Sequence, residues 1–478
     1  MPSYDPSKLI GPNADLKRVT WLELFFDVIF ALALTMSAKP LEGLTEYSMG
    51  LWKALAEFLV IYIFLVIFWY RHTSLVNRFR RSSFLMEVLT LLTGFLVIAF
   101  IQFIGIWKVN AEIGSYLATV TIFLVSLSVA CIYFVCSLRI VDAGENEKRW
   151  ARASARYMLW ESIGYLTAII AAPEIRPYWF MAVFIYFNRF PVINWLNPKA
   201  VTTIPPELQN IPPENLPHKS ERVGLFALMV YGLIVVLAAI PLMEIDVSST
   251  EGALTPIIIF GKMLLFISVI WFIHYRLFDI AQPKGNQFNT MTFITLALLV
   301  ASTAFMRLLL TNHSPFIELL FAITTGLLFS LLATKYWNIQ SMAGVSISES
   351  VRVAFRRWAY FLYIFATAFF ASIFFPYNIK LIIWESVVGL IFLGLLLDKG
   401  LSATYYMGTK MAKARRYFDA QTVSALSFVV IGIIAFFAIN VLLRKPTQSW
   451  WLLTWLAPLA LGLFLLLNHW LFKRIRPI

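Results

Sequence analysis

The sequence predicts an all-helical integral membrane protein of about fourteen transmembrane helices: two six-helix parallel repeats plus a C-terminal helical pair, with both termini cytoplasmic. Composition, the spacing of apolar runs and the sidedness of basic residues predict it. Of 478 residues, 60% are hydrophobic and 14% charged, and the mean hydropathy is +0.76. A water-soluble chain of this length carries charge at about a quarter of its positions. Apolar runs of bilayer-spanning length fall near 20–38, 51–70, 84–107, 115–138, 156–172, 178–197, 223–243, 254–275, 288–310, 315–334, 358–375, 380–397, 422–443 and 449–472. With the N-terminus inside, thirty lysines and arginines lie in cytoplasmic segments and eight outside, with Lys262 left within a span. That is the positive-inside bias, so the net charge of +13 marks orientation and a modest attraction to anionic inner-leaflet lipid. It does not mark nucleic-acid binding.

Taken in order, the elements group into units. The polar start carries no cleavable signal, and the run from Trp21 is long enough to stay in the bilayer. Residues 1–197 form the first six-helix unit. The linker 198–221 carries Pro198, Pro205, Pro206, Pro212, Pro213 and Pro217, which predict an extended, irregular path. Residues 222–397 form the second unit, 398–421 a basic cytoplasmic loop, and 422–478 the terminal helical pair. The two units resemble each other in register. Trp69-x-x-His72 closes the second span and Trp271-x-x-His274 the eighth, 202 residues on. At an offset of 201, Phe25 aligns with Phe226 and Phe30 with Tyr231, and Asn468-His469-Trp470 gives a weak third echo. An even number of spans per unit makes the repeats parallel. Cys131 and Cys136 share one run but face different directions, as buried apolar thiols do.

Ionisable residues inside spans are costly, and their default reading is functional. Glu23 and Asp27 lie four apart on one face of the first span, and His72 reaches a similar depth from the second. Two readings are open: a carboxylate–imidazole cluster that relays protons, or a structural Asp27 bonded to His72, Trp69 or a backbone amide. Glu57 and Lys262 share the outer third of their spans, which suggests an ion pair between units. A retinal Schiff base at Lys262 finds no other support. Glu87, Glu161, Glu318 and Glu385 lie nearer span ends, where snorkelling to water is easier. No metal-ligand spacing, phosphate loop or nucleophile motif appears, so the chain reads as no enzyme and as needing no cofactor.

Trp21-Leu22-Glu23-Leu24-Phe25-Phe26-Asp27-Val28-Ile29-Phe30 resembles the signature of the low temperature requirement A family of bacterial membrane proteins, as do Trp69–Phe79 and Glu221–Phe226. The stretch Phe25–Thr35, with the Trp-x-x-His of the second span, is also similar to the endolysosomal potassium-channel family. That second resemblance implies a cation pore lined by the first helix of each unit, with an apolar constriction at Leu32 and Leu233. The chain departs from it where Phe26 stands for a small Ser and Leu228 for the second acidic residue.

The expected function is therefore that of a low temperature requirement A protein in the cell membrane, the inner membrane if bacterial, passing monovalent cations or protons. The alternative is a structural or accessory subunit. The expected partners are the lipid bilayer and other membrane proteins or further copies of the chain.

Overall fold

The computed structural model describes residues 19–42, 44, 50–79, 83–138, 144–196, 216–239, 250–281, 286–311, 314–342 and 349–406. Among these, every regular element is helical. Six long helices precede the linker: α1 Trp21–Met36, α2 Gly50–Arg78, α3 Phe84–Val109, α4 Ala111–Cys136, α5 Glu145–Leu166 and α6 Arg176–Leu196. Six follow it: α7 Leu216–Ala239, α8 Thr250–Ala281, α9 Asn286–Thr311, α10 Pro315–Trp337, α11 Glu349–Ser372 and α12 Tyr377–Tyr406. Each lies on one of the first twelve expected runs. The runs at 422–443 and 449–472 fall outside the described residues.

Nine described stretches are long and apolar enough to cross a bilayer, carried by α1–α4, α7–α10 and α12. The others differ for a readable reason. α5 and α11 open on basic polar turns, Glu145–Arg156 and Glu349–Arg357, ahead of their apolar ends. α6 contributes the shorter apolar stretch Tyr178–Asn188.

Two boundaries depart from expectation. α7 begins at Leu216, inside the segment read as irregular linker, with Pro217 in its first turn. Proline is tolerated there because first-turn amides have no partner within the helix. α12 runs on to Tyr406, into the expected loop, passing through Gly400, a single glycine that costs a helix about 1 kcal/mol and does not end this one.

Local signals set the helix starts. Thr20 and Glu23 close a reciprocal capping box on α1. Ser83 caps α3, accepting from the Met86 amide at 3.3 Å. Asn110 ends α3 and caps α4, its Oδ1 accepting from the Ile113 amide at 3.1 Å.

Both halves pack by one scheme. α1 lies on α2 and α3, α3 on α4, and α4 on α5; α7 lies on α8 and α9, α9 on α10, and α10 on α11. Cross-helix bonds recur with it. Tyr133 Oη donates to the Arg71 carbonyl at 3.2 Å, and Tyr336 Oη to the Ile273 carbonyl at 2.7 Å. Arg176 Nη1 donates to Ser115 Oγ at 2.5 Å, and Lys380 Nζ to Glu318 Oε2 at 2.6 Å. The halves meet where α1 and α2 pack on α7. There Trp69 stacks on Phe226 at 4.3 Å, and α2 also reaches α9, where Tyr62 Oη donates to the Phe293 carbonyl at 2.7 Å.

Candidate functional site at the seam between the halves

α1 presents Glu23 and Asp27 on one buried face near its N-terminus, at one end of the seam. Asp27 Oδ1 accepts from Trp69 Nε1 at 2.7 Å and from Arg222 Nη2 at 2.5 Å. Its Oδ2 accepts from Arg222 Nε at 3.3 Å. Asp27 and Arg222 are both fully buried, so three helices are tied by one ion pair and one indole. Arg222 Nη1 has no hydrogen-bond partner among the described residues. Such a pair contributes little net stability by itself, but either charge left alone is expensive.

The imidazole expected beside Asp27 is elsewhere. His72 packs on Phe26, ring centroids 3.9 Å apart, and its Nε2 lies 3.1 Å from Thr90 Oγ1. Asp27 instead takes Arg222, which the span pattern places at the mouth of the seventh helix and which the charge count absorbs as an orientation signal. The histidine beside a carboxylate is His218, whose Nε2 is 3.5 Å from Glu23 Oε2 and whose Nδ1 meets Asn77 Oδ1. Next to it, Lys219 Nζ donates to Tyr70 Oη at 2.7 Å.

Beyond the ion pair, the seam turns apolar. Phe30 and Leu34 of α1 and Phe226, Val230 and Ile234 of α7 are buried. Leu32 and Leu233 sit on these two helices, both partly buried. At the opposite end of the seam lies a small cavity of about 30 Å³, mostly apolar, with Thr35, Glu42, Thr303 and Arg307 in its lining. That is room for a water or two. Arg307 Nη2 pairs with Glu42 Oε2 at 2.5 Å at its rim.

The expected Glu57–Lys262 pair is not formed. Lys262 Nζ donates to Glu385 Oε1 at 2.7 Å, because α8 packs against α12, which carries that glutamate. Glu161 and Glu318 also depart from the snorkelling expectation. Both are buried: Glu161 pairs with Arg71 at 2.5 Å, and Glu318 with Lys380. Cationic partners within the helix bundle replace the missing water.

In the second half, Trp271 is partly exposed against Phe272 and Tyr275, while His274 is buried. His274 Nδ1 lies 3.0 Å from Tyr231 Oη and its Nε2 2.9 Å from Lys335 Nζ. Lys335, one of the thirty charges assigned to the inner side, is fully buried. Among the described residues, no group of three or more His, Cys, Asp or Glu is placed to hold a metal ion.

The family model described as bacterial low temperature requirement A protein (LtrA) matches residues 18–281. The chain belongs to the LtrA family. The match opens just ahead of α1 and closes on the last residue of α8, so Asp27, Trp69, His72, Arg222 and His274 are LtrA positions and Lys335 lies beyond them. Comparison with curated proteins gives no match. The chain is thus a membrane protein of the LtrA family with several apolar helices against the bilayer.

Proposed function

We propose that this LtrA protein passes monovalent cations or protons along the seam between α1 and α7, and that the described conformation is closed. The observation that carries the reading is the order of groups along that seam. A buried Asp27–Arg222 pair stands at the proposed inner end, an apolar middle follows, and a small, mostly apolar cavity rimmed by the Glu42–Arg307 pair stands at the proposed outer end. Leu32 and Leu233 lie on the two helices that frame the middle, as the resemblance to the endolysosomal potassium channels implies. A dry apolar stretch stops a hydrated ion until it is widened or wetted. The Arg222 guanidinium neutralises Asp27, so opening requires that the pair part or move together.

The proposed architecture is fourteen spans in the bacterial inner membrane, both termini cytoplasmic, built as two parallel six-helix repeats and a terminal pair. The recurring bonds of Tyr133 and Tyr336, and of Arg176 and Lys380, support the repeats: corresponding residues stand 202 to 204 positions apart. The chemistry proposed is non-enzymatic and cofactor-free.

A second reading is favoured by the same dryness. A seam packed with Phe30, Leu34, Val230 and Ile234 suits a structural subunit that gathers partner helices or further copies of itself. Flux into liposomes separates the two. With purified protein, Leu32→Asn combined with Leu233→Asn should raise potassium or proton leak well above wild type. A folded double variant that leaks no more than wild type leaves the structural reading standing.

A further inference from the structure

Lys335 is fully buried in the last turn of α10, and among the described residues no carboxylate meets it. From α8 it is faced by His274 at 2.9 Å, and from α9 by Thr292 Oγ1 at 3.0 Å, Thr295 Oγ1 at 3.5 Å and the ring of Phe288 at 4.7 Å. α7 brings Tyr231 to the far side of the same imidazole. α11, which also packs on α10, makes no ion pair with it among the described residues. We propose that Tyr231, His274 and Lys335 form a buried proton-binding site that takes up and returns one proton by reversing its hydrogen bonds.

The hydroxyls decide the directions. Thr292 Oγ1 donates to the Phe288 carbonyl at 2.9 Å and Thr295 Oγ1 to the Met291 carbonyl at 2.7 Å. Their protons are committed, so only lone pairs face the lysine and Nζ is the donor to both. The bond between Nζ and His274 Nε2 can run either way, as can that between His274 Nδ1 and Tyr231 Oη. In the loaded state Nζ is an ammonium with three donors in use; Nε2 accepts, and Nδ1–H donates to Tyr231 Oη. In the unloaded state the Tyr231 hydroxyl donates to Nδ1, Nε2–H donates to the amine lone pair, and the two remaining amine protons serve the threonines. The first state holds one proton more than the second. Each contact keeps one donor and one acceptor in both states, with no heavy atom displaced.

Loading follows a relay. A proton arriving at Tyr231 Oη releases the hydroxyl proton to Nδ1, and the Nε2 proton passes to Nζ. One proton enters, one is gained by the lysine, and no electrons move. The Phe288 ring face and the carbonyl end of α10 both favour the resulting cation.

The first half lacks this site. Its counterpart histidine, His72, meets Thr90 directly, and Thr93 meets Ser128. The position matching Lys335, one before Tyr133 as Lys335 is one before Tyr336, is the buried Ile132. The proposal does not depend on ion passage along the seam: the site can bind a proton in a protein that conducts nothing.

Nitrogen-15 NMR of histidine-labelled, full-length protein in micelles tests it, from about pH 5 to about pH 10. In wild type, His274 should stay neutral throughout and exchange its protonated nitrogen, Nδ1 at the acid end and Nε2 at the alkaline end. Lys335→Met should abolish that exchange. An imidazolium at His274 at the acid end, or one unchanging tautomer across the range, would overturn the proposal in wild type alone, whether or not the variant folds. Persistence of the exchange in a folded Lys335→Met would overturn the role of the lysine. Assignment uses His274→Gln, or substitution of the other four histidines if that variant fails to fold.

Discussion

At the scale of single residues, the seam is held by a charge pair that tolerates no half measures. Asp27 and Arg222 are both sealed from solvent. Removing one partner strands the other in a medium that solvates it poorly, a loss of about 3–5 kcal/mol. Asp27→Leu and Arg222→Met should therefore each lower the melting temperature in detergent steeply. The combination Asp27→Leu with Arg222→Met should lose less than either alone, because no charge is then left unmatched. Additive losses in that cycle would mean the two residues do not interact. The Lys262–Glu385 pair is partly exposed on both sides, and Lys262→Met should cost only about 0–1 kcal/mol. Asp27 was legible from the sequence as a buried acid, with Trp69 one of three partners left open beside His72 and a backbone amide. Arg222 was not. A basic residue at the inner end of a span reads first as an orientation label, and only the packing of α7 on α1 makes it a partner. Lys335 was hidden the same way, and Glu57 was preferred over Glu385 because depth can be read along the chain and helix neighbours cannot.

At the scale of helices, two of the close approaches made at glycines have neighbours that differ in compliance. A Cβ at Gly94 of α3 would lie 2.8 Å from Ile29 Cδ1, the free end of a side chain on α1. A Cβ at Gly326 of α10 would lie 2.8 Å from two atoms of the Phe370 ring on α11. The isoleucine tip can rotate away; the ring is flat, stiff and set between packed helices. Gly94→Ala should be near neutral, the small clash offset by up to about 1 kcal/mol of helix propensity. Gly326→Ala should lose about 1–3 kcal/mol through overpacking. Equal melting temperatures for the two variants would show that α10 and α11 have slack at their crossing. The positions of the twelve long described helices were well predicted because hydropathy and length suffice for them. The ends at Leu216 and Tyr406 were not, because proline is harmless in a first turn and the single Gly400 does not stop the last helix.

At the scale of the whole molecule, the proposed topology makes Ser249 outer and Ser220 inner. In a background with Cys131 and Cys136 replaced by Ala, single cysteines at those two positions should react with an impermeant maleimide from opposite faces of the membrane. Reaction of both from one face would dismiss the fourteen-span arrangement. The membrane class was legible from composition, and the family from the first two spans and the opening of α7. What composition could not reveal is that the halves share a packing scheme yet differ in buried chemistry. That difference sits in single side chains such as Ile132 and Lys335, to which hydropathy periodicity is blind.

The ion pair that ties α1 to α7 also sets an order of events during synthesis. Asp27 and Arg222 are 195 residues apart in the chain. At about 5–20 residues per second, roughly 10–40 s pass between the emergence of one and of the other from the ribosome. Through that interval Asp27 has Trp69 as a donor but no cation to match it. A nascent chain halted before α7 is therefore an incomplete object: it lacks both the guanidinium that meets Asp27 and the imidazole that meets Glu23, and the arrival of one helix supplies the two together.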